Sequence, residues 1–225
     1  MGPQLRKSKK IFYGWWIVIA GTIVNAVATG TYWHGFGAFF DPIVDEFKWS
    51  RALTSIAPAL QRSEGAAFGP FVGVAINKFG PRNVMLFGII LSGIWFITLS
   101  HTFSLLWFFI SSSILTLWVT FFTFLVVSTS VANWFIQKRA LALSAASTGS
   151  GFGGFLVPAL IWLISIQGWR TSLEIIGIGF LIIGIPCALV MRSKPEDYGM
   201  FPDNIDPKES KNPNIVKDII DVESV

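Results

Sequence analysis

The feature that most constrains the fold is the run from residue 11 to residue 40, which contains no Asp, Glu, Lys or Arg. A helix needs about 20 apolar residues to cross a hydrocarbon core of about 30 Å. Over the whole chain, hydrophobic residues make up 52% and charged residues 13%, whereas soluble domains carry about 25% charged residues. A soluble domain cannot cover so much apolar surface, so we predict a protein that lies in a lipid bilayer.

Charged residues divide this apolar sequence into six predicted transmembrane helices. We therefore expect an all-α integral membrane bundle over residues 11–191, with a basic tail at 1–10 and a charged, proline-containing tail at 192–225. The predicted spans are 11–40, 53–76, 84–100, 105–132, 140–166 and 172–191.

Lysine and arginine are divided unequally between the two sides of such a bundle. Positive charges in short loops favour the cytoplasm, so we predict that both termini lie there, in the inner or plasma membrane of the cell. Orientation in the bilayer, rather than binding to nucleic acid, then explains the net charge of +4. One side carries Arg6, Lys7, Lys9, Lys10, Lys78, Arg82, Lys138, Arg139, Arg192 and Lys194, and the other carries Lys48, Arg51 and Arg170.

The residue types that build most metal centres are scarce. Cysteine occurs once, at Cys187, and histidine twice, at His34 and His101. The single cysteine excludes a cysteine cluster, and two histidines leave little material for a histidine metal centre. We therefore expect neither a metal site nor a cofactor.

A glycine-rich run surrounds Ser150 and could be mistaken for a phosphate loop or a serine nucleophile site. No lysine follows in the phosphate-loop pattern, and neither histidine lies at the depth that a general base would need. We therefore do not expect an enzyme. Residues spaced by four predict small faces for tight helix packing instead. The glycines of these faces are Gly149, Gly153 and Gly154.

The second predicted span carries two charged residues, Arg62 and Glu64, near its middle. A charge at the bilayer centre costs about 2.5–3.5 kcal/mol on insertion scales, and such residues usually mark a pathway. Two positions apart, they project about 200° apart around a helix and cannot pair well with each other. Either Arg62 attracts an anion and Glu64 carries a proton, or each is neutralised by a polar group of a neighbouring helix. Gly65, Gly69 and Gly73 follow at intervals of four and predict a smooth helix face.

The loop after this span reads Gly73-Val74-Ala75-Ile76-Asn77-Lys78-Phe79-Gly80-Pro81-Arg82. It resembles the loop signature of the major facilitator superfamily: glycine, three residues, Asp, a basic residue, any residue, glycine and further basic residues. Gly80 permits a tight turn, and Lys78 and Arg82 hold the loop on the positive side. Asn77 stands where the signature has Asp, which in the family belongs to a charge-linked latch between two halves. An amide accepts hydrogen bonds but forms no ion pair.

Three further stretches resemble the monocarboxylate and oxalate–formate branch of that superfamily. They fall at the first external loop, at the junction of the fourth and fifth helices, and after the sixth helix. The stretches are Phe36-Gly37-Ala38-Phe39-Phe40-Asp41-Pro42 with the residues up to Ala52, Trp134-Phe135-Ile136-Gln137-Lys138-Arg139-Ala140-Leu141-Ala142, and Pro195-Glu196-Asp197-Tyr198-Gly199. The resemblance covers about residues 12 to 204.

The resemblance implies a fold of twelve helices in two six-helix halves, with the substrate between them, of which this chain supplies the first half. It implies a secondary transporter of small organic anions, carboxylates above all, that works by alternating access with proton symport or anion exchange. The expected partners are the bilayer, the anion, protons, and a second half from the same or another chain. The alternative is a non-transporting membrane subunit or a truncated, inactive half.

The same resemblance assigns roles to particular residues. A basic residue at the place of His34 meets the anion in the family, and His34 could do so when protonated; it could equally be solvated at the membrane interface. Trp118 could line the pathway or pack between helices. The residues expected along the substrate and proton pathway are Tyr32, His34, Gln61, Arg62, Glu64 and Trp118.

An inner gate is also implied by the resemblance. Lys138 and Arg139 would form it together with the loop between the second and third spans. A plainer interpretation makes both residues anchors on the positive side of the membrane. In the family the fifth helix, which here carries Gly149 and Gly153, packs against the opposite half.

Overall fold

The structure, a computed structural model, describes residues 12–204. Residues 1–11 and 205–225, which include the predicted basic tail and most of the predicted polar tail, lie outside the described part. Within 12–204 the regular elements are helices and no strand occurs, which confirms the predicted all-α class. The α-helices are α1 (Gly14–Ala28), α2 (Phe40–Phe47), α3 (Arg51–Thr54), α4 (Ile56–Phe79), α5 (Pro81–Ser100), α6 (Leu105–Thr120), α7 (Phe124–Trp134), α8 (Arg139–Gly153), α9 (Leu156–Gly179) and α10 (Ile185–Val190).

Four helical stretches of the described chain are long and apolar enough to cross a membrane. They are Gly14–Phe47, Pro81–Ser100, Leu105–Trp134 and Arg139–Val190. Helix α4, with 24 residues, is of similar length but carries Arg62 and Glu64. The last stretch is not one straight helix, because Gly168 has φ 79° and ψ 165° and interrupts the helical backbone inside α9.

Helices α1 and α5 form the centre of the bundle. Helix α1 packs against α7, α8 and α10, and α5 packs against α6 and α9. Three buried aromatic rings join these groups: the Phe180 ring lies 5.2 Å from that of Phe96 and 5.4 Å from that of Phe122. Aromatic pairs at such distances stabilise a core beyond the burial of their surface.

At one end of the bundle, Arg170 holds α2 in place. Its guanidinium donates hydrogen bonds to the Glu46 carboxylate at 2.8 Å, to the Thr102 carbonyl at 2.9 Å and to the Ser100 carbonyl. Trp169 Nε1 donates to the same carboxylate at 2.6 Å. Because charged donors and acceptors make the stronger hydrogen bonds, this cluster fixes α2 across the ends of α5 and α9.

At the opposite end, the chain that follows α10 packs onto the bundle. The Arg192 guanidinium lies between two rings, 4.1 Å from that of Tyr13 and 3.9 Å from that of Tyr198. Trp134 Nε1 donates to the Arg192 carbonyl at 3.0 Å. Cations bind to aromatic faces at such distances, so the chain from Arg192 to Tyr198, the first part of the predicted tail, packs against the bundle.

The helices on either side of Gly80 both extend beyond the predicted spans. Helix α4 runs to Phe79, three residues beyond the predicted end, and α5 begins at Pro81 rather than at residue 84. Proline is well suited to the first turn of a helix, where its missing N–H is not needed. Charges mark where apolar sequence ends, whereas backbone hydrogen bonds continue beyond that point.

Candidate functional site

The site begins with an irregularity in the first long helix. Helix α1 continues into a π turn at Thr29–Trp33, in which the His34 N–H donates to the Thr29 carbonyl at 2.8 Å. A π turn inserts an extra residue and redirects the side chains beyond it, and such turns are frequent at functional sites. Here Trp33 and His34 face the polar segment of α4.

A cavity of about 480 Å³, here the large cavity, lies between α1, α4, α8 and the junction of α6 with α7. Arg62 lines it from α4. Its volume falls in the range of about 300–1,000 Å³ that is usual for small-molecule sites. Polar side chains contributed by the other elements are Asn25, Thr29, Thr120, Thr123 and Ser150.

A second cavity of about 150 Å³, here the small cavity, adjoins the same stretch of α4. It brings together three residues of the predicted pathway, namely His34, Gln61 and Arg62. Trp33 and Phe36 contribute apolar surface. Imidazole, amide and guanidinium groups all donate hydrogen bonds, so this arrangement suits an acceptor with negative charge.

Glu64 and Tyr32 lie apart from both cavities and face α6. The Ser113 hydroxyl donates to Glu64 Oε1 at 2.6 Å, while Glu64 Oε2 is buried and has no hydrogen-bond partner among residues 12–204. The hydroxyls of Tyr32 and Thr116 are 2.5 Å apart. Ser113 and Thr116 are three residues apart on α6 and therefore share a face. The charges of α4 thus point in two directions, with Arg62 toward the cavities and Glu64 toward α6.

Trp118, another residue of the predicted pathway, lines neither cavity. Its ring lies 5.6 Å from that of Phe121, and its Nε1 is buried without a hydrogen-bond partner. Thr120, two residues further along α6, does line the large cavity. Because two residues on a helix project about 200° apart, Trp118 points away from it.

The predicted gating loop lies at the end of the bundle where residues 192–204 pack. Gly80, with φ 76°, separates α4 from α5, and a Cβ there would lie 3.0 Å from Ser193 Oγ. Gly73 precedes it, with no atom within 4 Å of a Cβ built there. Asn77 and Lys78 are exposed, and Arg82 is half-buried.

Lys138 and Arg139 are exposed at the start of α8. Just before them, Asp203 Oδ2 accepts hydrogen bonds from the backbone N–H groups of Ile136 at 2.7 Å and Gln137 at 2.5 Å. Within residues 12–204, no ion pair joins Lys138 or Arg139 to another side chain. The Asp203 carboxylate instead accepts hydrogen bonds from the backbone of the turn between α7 and α8.

The glycines of α8 lie against α1 of the same chain. A Cβ on Gly149 would collide with the Thr22 carbonyl oxygen, and one on Gly153 would lie 2.7 Å from the Ala26 carbonyl oxygen. Reasoning from the family placed the fifth helix against the opposite half. In the structure Gly149 and Gly153 instead contact α1. Only glycine lets the two helix backbones approach so closely.

The other predicted packing glycines have fewer neighbouring atoms close to them. A Cβ on Gly65 would lie 2.9 Å from the Trp33 ring, one on Gly69 would have no atom within 4 Å, and one on Gly154 would meet only the Gly151 carbonyl, at 3.3 Å. Gly65 therefore makes room for an aromatic side chain, whereas Gly69 and Gly154 face open space within the described chain.

Sequence reasoning missed three hydroxyl residues of the large cavity, Thr29, Thr120 and Thr123. A threonine in an apolar helix can satisfy its hydroxyl on a carbonyl one turn earlier, as Thr120 does on Thr116 at 2.8 Å. Such a residue gives no local signal of a cavity. Asn25 both lines the large cavity and donates to the Ala146 carbonyl at 3.3 Å.

The ligand chemistry of the described chain favours anions over metal ions. Residues 12–204 contain no group of three His, Cys, Asp or Glu side chains placed to hold a metal. Arg62 lines both cavities, and no carboxylate side chain lines either of them. An anion would find N–H donors there.

Sequence comparison relates the chain to known proteins. Residues 12–216 match the sequence profile of the Major Facilitator Superfamily. The chain is 27% identical over 210 residues to human Monocarboxylate transporter 14, covering 88% of the chain and 41% of that protein. It is 28% identical over 178 residues to mouse Monocarboxylate transporter 6 (79% and 38%) and 29% identical over 186 residues to rat Monocarboxylate transporter 13 (80% and 42%). The chain thus spans about two fifths of the length of these curated relatives.

Proposed function

The chain belongs to the Major Facilitator Superfamily, and from this premise we propose that it forms one six-helix half of a secondary transporter for small organic anions, carboxylates above all. Relatives named monocarboxylate transporters support this substrate class. The protein is a multi-pass membrane protein. In the proposed mechanism two halves rock about a midplane site and expose it alternately to each side, with proton symport or anion exchange providing the driving force.

Six crossings fit the helices better than four. Helix α4 has 24 residues, which span about 36 Å at about 1.5 Å per residue, enough for a core of about 30 Å. The Arg139–Val190 stretch has 52 residues, which would extend about 78 Å as one helix. Including α4 and dividing the last stretch at Gly168 yields six crossings.

We place the end that carries Tyr13 and Arg192 in the cytoplasm. Four more basic residues lie at or next to helix termini at this end, and the positive-inside rule favours that orientation. The opposite end carries the Arg170 cluster. The four residues are Lys78, Arg82, Lys138 and Arg139.

The observation that carries the proposal is the position of Arg62. Its guanidinium lines both cavities from α4, a helix that we propose crosses the membrane. A charge at membrane depth is costly unless water or a ligand compensates it, and a guanidinium binds carboxylates in bidentate geometry. We assign Arg62 to the anion, with His34 and Gln61 beside it in the small cavity.

Glu64 is the proposed proton carrier. Its Oε1 accepts a hydrogen bond from Ser113, and its buried Oε2 has no partner, which leaves Oε2 as the oxygen that would hold the proton. Because Glu64 faces α6 while Arg62 faces the cavities, the anion and the proton would occupy opposite sides of α4. Coupling would then act through movement of that helix.

A second six-helix half is the proposed partner. Gly69 and Gly73 of α4 have no atoms within 4 Å of a built Cβ, so this face can receive another helix closely. Asn77, Lys78 and Arg82, with Lys138 and Arg139, would meet that half at the cytoplasmic end. With Asn77 in place of Asp, the latch would depend on hydrogen bonds rather than on a carboxylate ion pair.

Uptake into proteoliposomes tests this function. The chain is reconstituted, and uptake of a ¹⁴C-labelled monocarboxylate is measured with and without an inward proton gradient. We expect Arg62→Gln to lower uptake at least tenfold, because a charged hydrogen bond to the anion is lost. Arg51→Gln is the matched control, since Arg51 pairs with Asp41 at 3.2 Å on the exposed surface and lines neither cavity.

Three outcomes separate the alternatives. Uptake that is equal in Arg62→Gln and the control refutes the role of Arg62. If the chain binds the acid in an Arg62-dependent manner without uptake, a second half is required for transport. If it neither binds nor transports any acid, the non-transporting subunit becomes the better interpretation.

A further inference from the structure

Residues 192–204, here called the strap, run across the end of the bundle that we place in the cytoplasm. The Ser193 carbonyl accepts a hydrogen bond from Asn133 Nδ2 at 2.9 Å, and a Cβ on Gly80 would lie 3.0 Å from the Ser193 hydroxyl. Ser193 therefore lies against both the end of α7 and the turn between α4 and α5. These two places adjoin the loops that the family resemblance assigns to an inner gate.

Arg192 holds the beginning of the strap. Its guanidinium lies between the rings of Tyr13, at 4.1 Å, and Tyr198, at 3.9 Å, and its carbonyl accepts a hydrogen bond from Trp134 Nε1 at 3.0 Å. Since cations bind to the faces of aromatic rings, Arg192 connects the start of α1 and the end of α7 with the middle of the strap.

Asp203 holds the end of the strap. Its Oδ2 accepts hydrogen bonds from the backbone N–H groups of Ile136 and Gln137, while its buried Oδ1 has no partner among residues 12–204. The hydrogen bonds of this carboxylate therefore go to the turn between α7 and α8, and bonds to a charged acceptor are the stronger kind. The backbone at Asp203 has φ 54°, a conformation that Asp and Asn adopt more readily than most residues.

The strap lies against both loops of the proposed inner gate. Asn77 carries no charge, and within residues 12–204 no ion pair joins Lys138 or Arg139 to another side chain. An ion pair therefore does not join the two loops in the described chain. The turn between α4 and α5 instead lies against Ser193, and the turn that precedes Lys138 is bound to Asp203.

We propose that the strap holds the two loops of the proposed inner gate in fixed relative positions, and that Asp203 is the positioning residue that keeps the strap closed. The strap thereby joins loops that Asn77 cannot join through an ion pair. The proposal rests on the proposed transport only for its effect on the transport cycle, because the contacts of the strap can be measured in a chain that does not transport.

Amide hydrogen exchange of the chain in lipid nanodiscs tests the role of Asp203, since exchange reports local opening. In Asp203→Gly, which suits a positive φ, Ile136 and Gln137 should exchange at least about tenfold faster because hydrogen bonds to a charged group are lost. Asp203→Asn, which loses only the charge, should give a smaller increase. Asp45→Asn is the matched control and should change neither rate, because Asp45 is exposed on α2 at the opposite end of the bundle.

A second pair of variants tests whether residues 192–204 act as one strap. Tyr198→Ala removes one of the two rings that hold Arg192. Exchange at Ile136 and Gln137 should then become at least about threefold faster, although the substituted residue does not bond to them. Tyr198→Phe keeps the ring and should leave both rates unchanged within twofold.

The effect on the transport cycle is measured as uptake of a labelled monocarboxylate into proteoliposomes. Asp203→Asn should lower the maximum rate at least about threefold, because conformational steps set many turnover rates. The KM should stay within twofold, since Asp203 lines neither cavity. Asp45→Asn should change neither value.

The outcomes separate the strap from the proposed function. Unchanged exchange at Ile136 and Gln137 in Asp203→Gly overturns the role of Asp203, and Asp203→Asn replaces that variant if glycine lowers the unfolding temperature. Faster exchange in Asp203→Gly but not in Tyr198→Ala would reduce the contact to a local cap and overturn the strap. A changed KM with an unchanged maximum rate would contradict the effect on gating. Absence of uptake by the unmodified chain bears on the proposed function, and the exchange rates then decide the strap alone.

Discussion

Helices α4 and α5 are consecutive, similar in length and both contain glycines, yet they differ in how much of each is buried. Half of the 20 residues of α5 are buried, against four of 24 in α4. A Cβ on Gly93 of α5 would lie 2.9 Å from the Gly177 carbonyl oxygen, whereas one on Gly73 of α4 would meet nothing within 4 Å. The same residue type therefore joins helices in α5 and leaves a surface open in α4.

The difference distinguishes the packed core around α5 from the proposed site on α4. Helix α5 lies between α6 and α9 and contributes apolar and glycine contacts to the core. Helix α4 carries Gln61, Arg62 and Glu64, polar groups that a closely packed helix could not accommodate without partners. The residues proposed to bind the anion and the proton therefore lie on α4, the helix with fewer buried residues.

The largest effect on stability should come from Gly93→Val. The added side chain would strike the backbone of α9, and overpacking of this kind costs about 3 kcal/mol. The unfolding temperature is read from the reaction of Cys187, the single, half-buried cysteine, with a thiol-reactive dye during heating in detergent. An unchanged unfolding temperature would mean that α5 and α9 are not in close contact.

A smaller loss should follow from Ser113→Ala, which removes the hydrogen bond to Glu64 Oε1. Leaving that partly buried acceptor unsatisfied should cost about 1 kcal/mol. In a double-mutant cycle with Glu64→Leu, which removes the acceptor, the double variant should lower the unfolding temperature by less than the sum of the two single decreases. Strict additivity would show that the two side chains do not interact.

The smallest effect, and one of opposite sign, should come from Gly73→Ala. Alanine favours a helix over glycine by about 0.8–1.0 kcal/mol, and a Cβ at this position meets no other atom. The unfolding temperature should therefore rise slightly in the isolated chain. A clear decrease would place another part of the chain against this face of α4 and would contradict the comparison with α5.

The sequence predicted the helical class better than it predicted which pathway residues lie together. Long apolar runs indicate membrane helices directly. The helices of residues 12–204 confirm the predicted all-α class. The predicted pathway residues divide in the structure: His34, Gln61 and Arg62 meet at the small cavity, whereas Glu64, Tyr32 and Trp118 do not line it. For Arg62 and Glu64, helical geometry alone predicted different directions; for Trp118, no sequence signal told which face of its helix would turn to the cavity.

Sequence alone determined that this chain is a bundle of apolar helices with charges inside one of them, because the energetic cost of placing charge in lipid is local and is visible residue by residue. It also identified the family, through short motifs at the helix junctions. Only the tertiary structure decided that Gly149 and Gly153 contact α1, that a π turn directs Trp33 and His34 toward α4, and that Arg62 lines two cavities. Those facts depend on contacts between residues far apart in the chain, and no local pattern encodes which helix faces which.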